Sequence, residues 1–305
     1  MSSTVVLQQM GVITILVAIG VLLYKRNVVD GTVSQKLSAI VLDICNPAMI
    51  LASIQSGNIT ATHGDLITAL ILGAAFYIGL VLLGFLFPIL VRAKKDDRRF
   101  YNLMIVYTNI GFIGIPVARA ILPENAILYV IVCNVMYSLL FYTHGIVLLS
   151  GGKEKMSIGK IFSPGTVMAV LSLVLFWFDV HLPPILANSI GYVGNATVFL
   201  SMTLLGVNIA RMQIMKGVKN PRIWAYIVIR MILLPIAMFF ILNALGFNRI
   251  TVLSLCLMAA MPVGNLPMIQ AEKTGEDTEL LSSGIAISTV VSILTITVLM
   301  SAFTM

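Results

Sequence analysis

The chain has 305 residues, of which 59% are hydrophobic and only 10% charged, and its mean hydropathy is +1.03. A soluble domain carries roughly 25% charged residues, so a water-facing globular surface is excluded and an all-α integral membrane protein is expected. The net charge of +7 does not point to nucleic acid, because the basic residues sit in short connections between apolar runs, where they set membrane topology.

A bilayer core takes about 20 residues of helix. In chain order, apolar runs of that size cover residues 4–24, 36–55, 66–91, 100–122, 125–149, 164–180, 186–210, 222–245, 250–272 and 278–302. No Lys or Arg precedes the first run, which is long enough to span, so it reads as a membrane helix and not as a cleavable signal peptide. Alternate connections carry Lys25, Arg26 and Lys36; then Arg92, Lys94, Lys95, Arg98 and Arg99; then Lys153, Lys155 and Lys160; then Arg211, Lys216, Lys219 and Arg222; then Lys273. The opposite connections carry only Arg119 and Arg249, and Arg230 lies within a run. The positive-inside rule therefore places the basic connections in the cytoplasm and both termini outside a multi-pass inner cell membrane protein.

The ten spans divide into two five-helix repeats, residues 1–150 and 151–305. Five is odd, so the second repeat enters the membrane inverted, and interrupted helices in matching places of such repeats point to a secondary transporter's binding site. The fourth span contains TNIGFIGIPVA, with Asn109, Gly111, Gly114 and Pro116. The ninth contains MPVGNLPMIQ, with Pro262, Gly264, Asn265 and Pro267. The second span carries Asn46 and Pro47, and the seventh carries Gly194, Asn195 and Asn208.

Proline inside a helix costs about 3 kcal/mol or more. The backbone groups it frees survive in hydrocarbon only when buried in protein or lining a wet cavity. Spans 4 and 9 are therefore expected to break and cross at mid-membrane. Their half-helix N-termini would present free N–H groups and positive partial charge, and Asn109 and Asn265 would add amides that both donate and accept. Together they could hold a carboxylate without a buried Arg or Lys. The expected substrate-binding set is Asn109, Gly111, Gly114, Pro116, Pro262, Gly264, Asn265 and Pro267, with Asn46, Asn195 and Asn208 from spans 2 and 7.

Ionisable groups within spans cost about 2.5–3.5 kcal/mol at the centre and are functional candidates by default. Asp43 reads either as a proton-coupling acid or as a carboxylate paired near the inner face. Arg230 either snorkels to the inner surface or counters an anionic substrate. His144 reads as an interfacial hydrogen-bonding group or a proton relay, and Glu272 with Lys273 as a solvated pair. Cys45, Cys133 and Cys256 lie in apolar runs without metal-ligand spacing, so no metal, disulfide or cofactor is expected. Ala75 and Gly79 form a small-xxx-small pair suited to helix contact.

NIGFIGIP at 109–116 resembles the NTLVMGIP segment of plant auxin efflux carriers, and MPVGNLP at 261–267 resembles their LPQGIVP. CNPAMIL at 45–51 and EKTGEDTELL at 272–281 are similar to other segments of this family, which includes bacterial malate or malonate permeases. The resemblance covers essentially the whole chain. It implies a scaffold of spans 1, 2, 6 and 7, a transport domain of spans 3–5 and 8–10, substrate at the crossing, and elevator-like alternating access. The plant cytosolic insertion is absent, and Val263 stands where the plant motif has Gln, which weighs against auxin itself.

The expected function is secondary transport of a small organic anion, with the bilayer as partner and a homodimer compatible. A cation-coupled carrier of another substrate and a non-transporting sensor are the alternatives. An enzyme is not expected, since the sequence has no GxSxG, no HExxH and no close acid pair. No span holds an acid pair for Na⁺ or H⁺, so uniport and exchange stay open beside coupling.

Overall fold

The computed structural model describes residues 3–55, 60–149, 151, 159, 162–211, 217–273 and 276–304, with the side chains of 272 and 273 excepted. All regular structure among them is helical. Seven helices are long and apolar enough to cross a membrane: α1 (Ser3–Lys25), α2 (Gly31–Gln55), α3 (His63–Leu90), α6 (Ala126–Leu149), α8 (Pro184–Arg211), α9 (Pro221–Ala244) and α12 (Glu279–Thr304). The other three expected spans fall on shorter pieces. The fourth is divided into α4 (Arg98–Val106) and α5 (Ile110–Ile121), and the ninth into α10 (Arg249–Ala259) and α11 (Leu266–Lys273). The sixth is α7 (Pro164–Trp177). Lys153, Lys155, Lys160 and Lys216, and the side chains of the Glu272–Lys273 pair, lie outside the described residues.

Helix starts follow side-chain caps. Asp30 accepts the Val33 N–H at 2.8 Å, so α2 begins at Gly31, earlier than the apolar pattern indicates, and Lys36 lies on the helix. Thr62 and Asp65 form a reciprocal capping box at the start of α3. Ser163 caps α7, with Pro164 in its first turn, where a missing N–H costs nothing.

Four helices contain a π turn, at Val41–Cys45, Ile110–Gly114, Phe141–Gly145 and Ile227–Leu233. Three of them end two residues before a proline: Pro47, Pro116 and Pro235. The wider turn relieves the clash between a proline ring and the preceding carbonyls. These prolines are thus carried inside continuous helices and do not end them.

The heaviest packing of α8 is against α1 and α2, and α7 also packs on α2. The α1–α8 contact is backbone on backbone. A Cβ added to Gly20 would lie 1.9 Å from the Thr203 carbonyl oxygen, and one on Gly206 would lie 1.9 Å from that of Val17. A second set of strong contacts joins α3 to α4 and α6, and α10 to α6 and α9. Ala75 and Gly79 are not a helix contact: both are exposed, and nothing lies within 4 Å of a Cβ built on Gly79. They share the outer face of α3 with Ile71, Ile78 and Leu82, an apolar face suited to lipid.

Candidate functional site

Between α4 and α5 the helix is interrupted at Tyr107–Asn109, and between α10 and α11 at Ala260–Asn265. These two stretches lie side by side and antiparallel, bridged at Thr108 and Val263. The Asn109 N–H donates to the Pro262 carbonyl at 2.8 Å, and the Gly264 N–H to the Tyr107 carbonyl at 2.9 Å. Each break thereby satisfies backbone groups that the other leaves open, which is what helix interruption away from water demands. Val263 contributes only its backbone: its N–H donates to Ser288 Oγ on α12 at 3.1 Å. Gly264 allows the close approach, because a Cβ there would stand 3.0 Å from the carbonyl oxygens of both Tyr107 and Thr108.

The breaks lie ahead of the expected positions. Gly111, Gly114 and Pro116 fall inside α5, which runs unbroken from Ile110 to Ile121. The reason is local. Asn109 caps α5, accepting the Phe112 N–H at 3.2 Å, and the π turn that follows carries the chain to Pro116. Within that turn Ile115 bonds back to Ile110, so Pro116 would have bonded to the Gly111 carbonyl had it possessed an N–H. Asn46 Nδ2 fills the vacancy, donating to that carbonyl at 3.1 Å from α2. Likewise Pro267 stands in the first turn of α11, not at its break, while Pro262 lies in the second interrupted stretch and accepts from Asn109.

Arg230 is wholly buried, so it does not snorkel, and it is not among the residues that line the cavity described below. Its Nε donates to the Ile105 carbonyl at 3.0 Å and its Nη1 to the Ala259 carbonyl, the C-terminal ends of α4 and α10. Each helix C-terminus carries roughly half a negative elementary charge. Two such ends together offset about one guanidinium, which explains why Arg230 has no carboxylate partner among the described residues. The Phe76 ring lies 5.8 Å from the guanidinium carbon and covers part of it.

A cavity of about 300 Å³ opens beside the paired breaks. It gathers Asn109, Gly111, Gly264 and Asn265 from the breaks, Asp43 and Asn46 from α2, and Asn208 from α8. It does not include Gly114, Pro116, Pro262, Pro267, Asn195, Arg230 or His144. Gly114 and the three prolines are buried behind the wall, and Asn195 is exposed on α8. His144 lies behind the first break: its Nδ1 is 2.8 Å from the Tyr107 hydroxyl, which also contacts the Leu140 carbonyl at 3.0 Å. Asp43 forms no ion pair with any described residue.

Sequence reading missed Asn134, Thr108, Tyr137, Ser138, Tyr142 and the Ser163–Thr166 cap, all of which line the cavity. Asn134 carried a readable signal, a lone amide within the run AILYVIVCNVMYSLL. The hydroxyl groups carried none, since Ser and Thr recur throughout the spans and are held there by the carbonyl one turn back, as Ser53 and Ser138 are.

The two helices that start at the breaks direct their N-termini toward this cavity, with Ile110, Gly111 and Phe112 of α5 and Leu266 of α11 in its wall. First-turn N–H groups have no partner within a helix and can bind an anion. In α5, however, Ile110 N–H already donates to the Thr108 carbonyl and Phe112 N–H to Asn109 Oδ1, and Pro267 in the first turn of α11 has no N–H. Asn46 Oδ1, Thr108 Oγ1 and Asn265 Oδ1 are buried without a hydrogen-bond partner. No Lys, Arg or His lines the cavity among the described residues.

A chamber that holds amides and hydroxyls among membrane-crossing helices, whose own backbone is broken to reach it, is the architecture of a membrane transporter. Residues 5–163 and 153–300 match the family described as membrane transport protein, and the chain belongs to this auxin efflux carrier-like family. It is also 24% identical over 298 residues to an uncharacterized transporter of Methanocaldococcus jannaschii, covering 93% of this chain and 94% of that protein.

Proposed function

We propose that the protein is a secondary carrier for a small organic anion, bound by its carboxylate where the two broken helices meet. The observation that carries this reading is the pair of half-helix N-termini, with Asn109 and Asn265 beside them, at one cavity that has no basic side chain among the described residues. Partial charges of fixed backbone can hold an anion and still release it, whereas a buried Arg or Lys would bind it more permanently.

In this reading the ten helical passes form two inverted repeats, with α4–α5 and α10–α11 as the crossing pair. The division of packing between α1, α2, α7 and α8 on one side and α3–α6 with α9–α10 on the other supports a scaffold and a moving domain. The Asn46–Gly111 hydrogen bond joins the two and would have to break in an elevator movement. Ser38, Tyr142, Ser163 and Asn208 line the cavity and lie close in sequence to the basic connections, which supports an inward-facing conformation in the inner cell membrane. Export of an anion would then be favoured by about 2.3 kcal/mol per charge per 100 mV of inside-negative potential.

Thermal-shift screening of purified protein against mono- and dicarboxylates, with pH and Na⁺ varied, followed by flux in proteoliposomes, tests this. Saturable flux of a carboxylate supports the carrier. Binding without flux would favour a sensor that keeps the fold, and flux of uncharged solutes only would reject the anion site.

A further inference from the structure

The carboxylate site proposed above occupies one side of the cavity; the α2 side has the opposite character. Asp43 is its only charged lining residue among those described, and it has no ion-pair partner. It is exposed, and so accessible from the cavity it lines. Three residues on, across the π turn, the buried Asn46 lines the same cavity. Its amide orientation is fixed, because Nδ2 donates to the Gly111 carbonyl. Its Oδ1 is consequently left as a buried acceptor with no donor, although Asn46 is only 5% exposed. Thr108 Oγ1, from the first break, is a third oxygen lining the cavity without a partner.

A carboxylate substrate cannot satisfy Asp43 or Asn46 Oδ1, since it brings only acceptors. An ammonium can: it carries positive charge opposite Asp43 and three N–H donors for three oxygens. A bare alkali cation fits less well, because it replaces a larger hydration shell and finds few oxygens here. We infer that the substrate of this carrier is zwitterionic, an amino acid whose carboxylate lies against the half-helix N-termini and whose ammonium lies against Asp43 and Asn46. The inference rests on the carboxylate reading of the previous subsection. It also excludes dicarboxylates, whose second charge would meet Asp43.

The test is binding to purified protein of four matched series: amino acids from glycine to 6-aminohexanoate with leucine, the monocarboxylates lacking the amino group, the alkylamines lacking the carboxylate, and dicarboxylates. In the unmodified protein at least one amino acid is expected to bind about tenfold or more tighter than its monocarboxylate, the worth of a single charge-assisted hydrogen bond. Asp43→Asn should collapse that ratio from both sides, weakening the amino acid and strengthening the monocarboxylate, while Asp43→Glu keeps the preference. A folded Asp43→Asn that weakens both ligands alike would overturn the assignment of Asp43. Equal binding of amino acid and monocarboxylate, a dicarboxylate as best ligand, or an Asp43→Asn effect confined to Na⁺ dependence would each overturn the inference and leave the carboxylate site standing. Alkylamines that bind as tightly as the amino acids would instead reject the carboxylate site and support the ammonium subsite.

Discussion

The two breaks pair with each other but are built differently. The first is three residues long, Tyr107–Asn109, and its asparagine is used by the fold: Asn109 Oδ1 caps α5 through the Phe112 N–H. The second is six residues long, Ala260–Asn265, and is held from outside by Ser288 at Val263, while Asn265 Oδ1 has no partner. Amides that look equivalent in the sequence therefore have different duties. One is mainly structural and the other is free to meet a ligand.

The strongest way to break the comparison is to remove what both breaks share. Arg230→Met leaves the Ile105 and Ala259 carbonyls unpaired, at about 1–3 kcal/mol each. A large fall in melting temperature in detergent is expected, with ligand binding lost at temperatures where the protein still elutes as a single species. Arg230→Lys, a point charge that cannot fork to two carbonyls, should fall between.

Next comes the contact between the breaks. In Gly264→Ala the new methyl group would meet the Tyr107 and Thr108 carbonyls at 3.0 Å, and backbone cannot yield as a side chain can. The expected cost is about 1–3 kcal/mol, together with loss of binding. Gly111→Ala meets Asn46 Nδ2 at 3.5 Å and Asn134 Oδ1 at 3.7 Å, both ordinary contacts, and should change the melting temperature little. Equal effects of the two substitutions would show that the pairing of the breaks is not what shapes the site.

The legibility of these features in the sequence follows their physics. Asn-Gly-Pro clusters announce trouble in a membrane helix, and they lead to the right segments. They do not give the place of the break, because Pro116 and Pro267 are tolerated close behind a helix start and the Pro116 vacancy is filled by Asn46. A filled vacancy depends on a residue from a distant helix, which no local pattern reveals. Arg230 was visible as an expensive charge, but its partners are carbonyls, and carbonyls exist at every position. Asn134 was as visible as Asn109 and was passed over because no proline or glycine stands beside it.

Substituting the two amides sharpens the comparison directly. Asn109→Ala should cost about 1 kcal/mol of stability, the usual worth of an N-cap, and weaken ligand binding as well. Asn265→Ala should leave the melting temperature of the ligand-free protein almost unchanged and abolish the shift that ligand produces. If both lower stability equally and neither affects ligand binding, the amides serve only the fold and the site lies elsewhere.

Among the asparagines the smallest effects are expected on α8, where the same contrast recurs within one helix. Asn208 lines the cavity and Asn195 is exposed, so Asn208→Ala should weaken binding several-fold and Asn195→Ala not at all, as read by titration of the same ligand. The neighbour Gly194 shows why Asn195 faces away. A Cβ at Gly194 would stand 2.8 Å from the Met49 Cα, so Gly194 is the residue that faces α2. A helix turns about 100° per residue, which rotates Asn195 off the contact. Substitution of Gly194 by Ala should therefore weaken the α2–α8 contact and displace Asn46, a loss of binding without any change to a residue that touches the ligand.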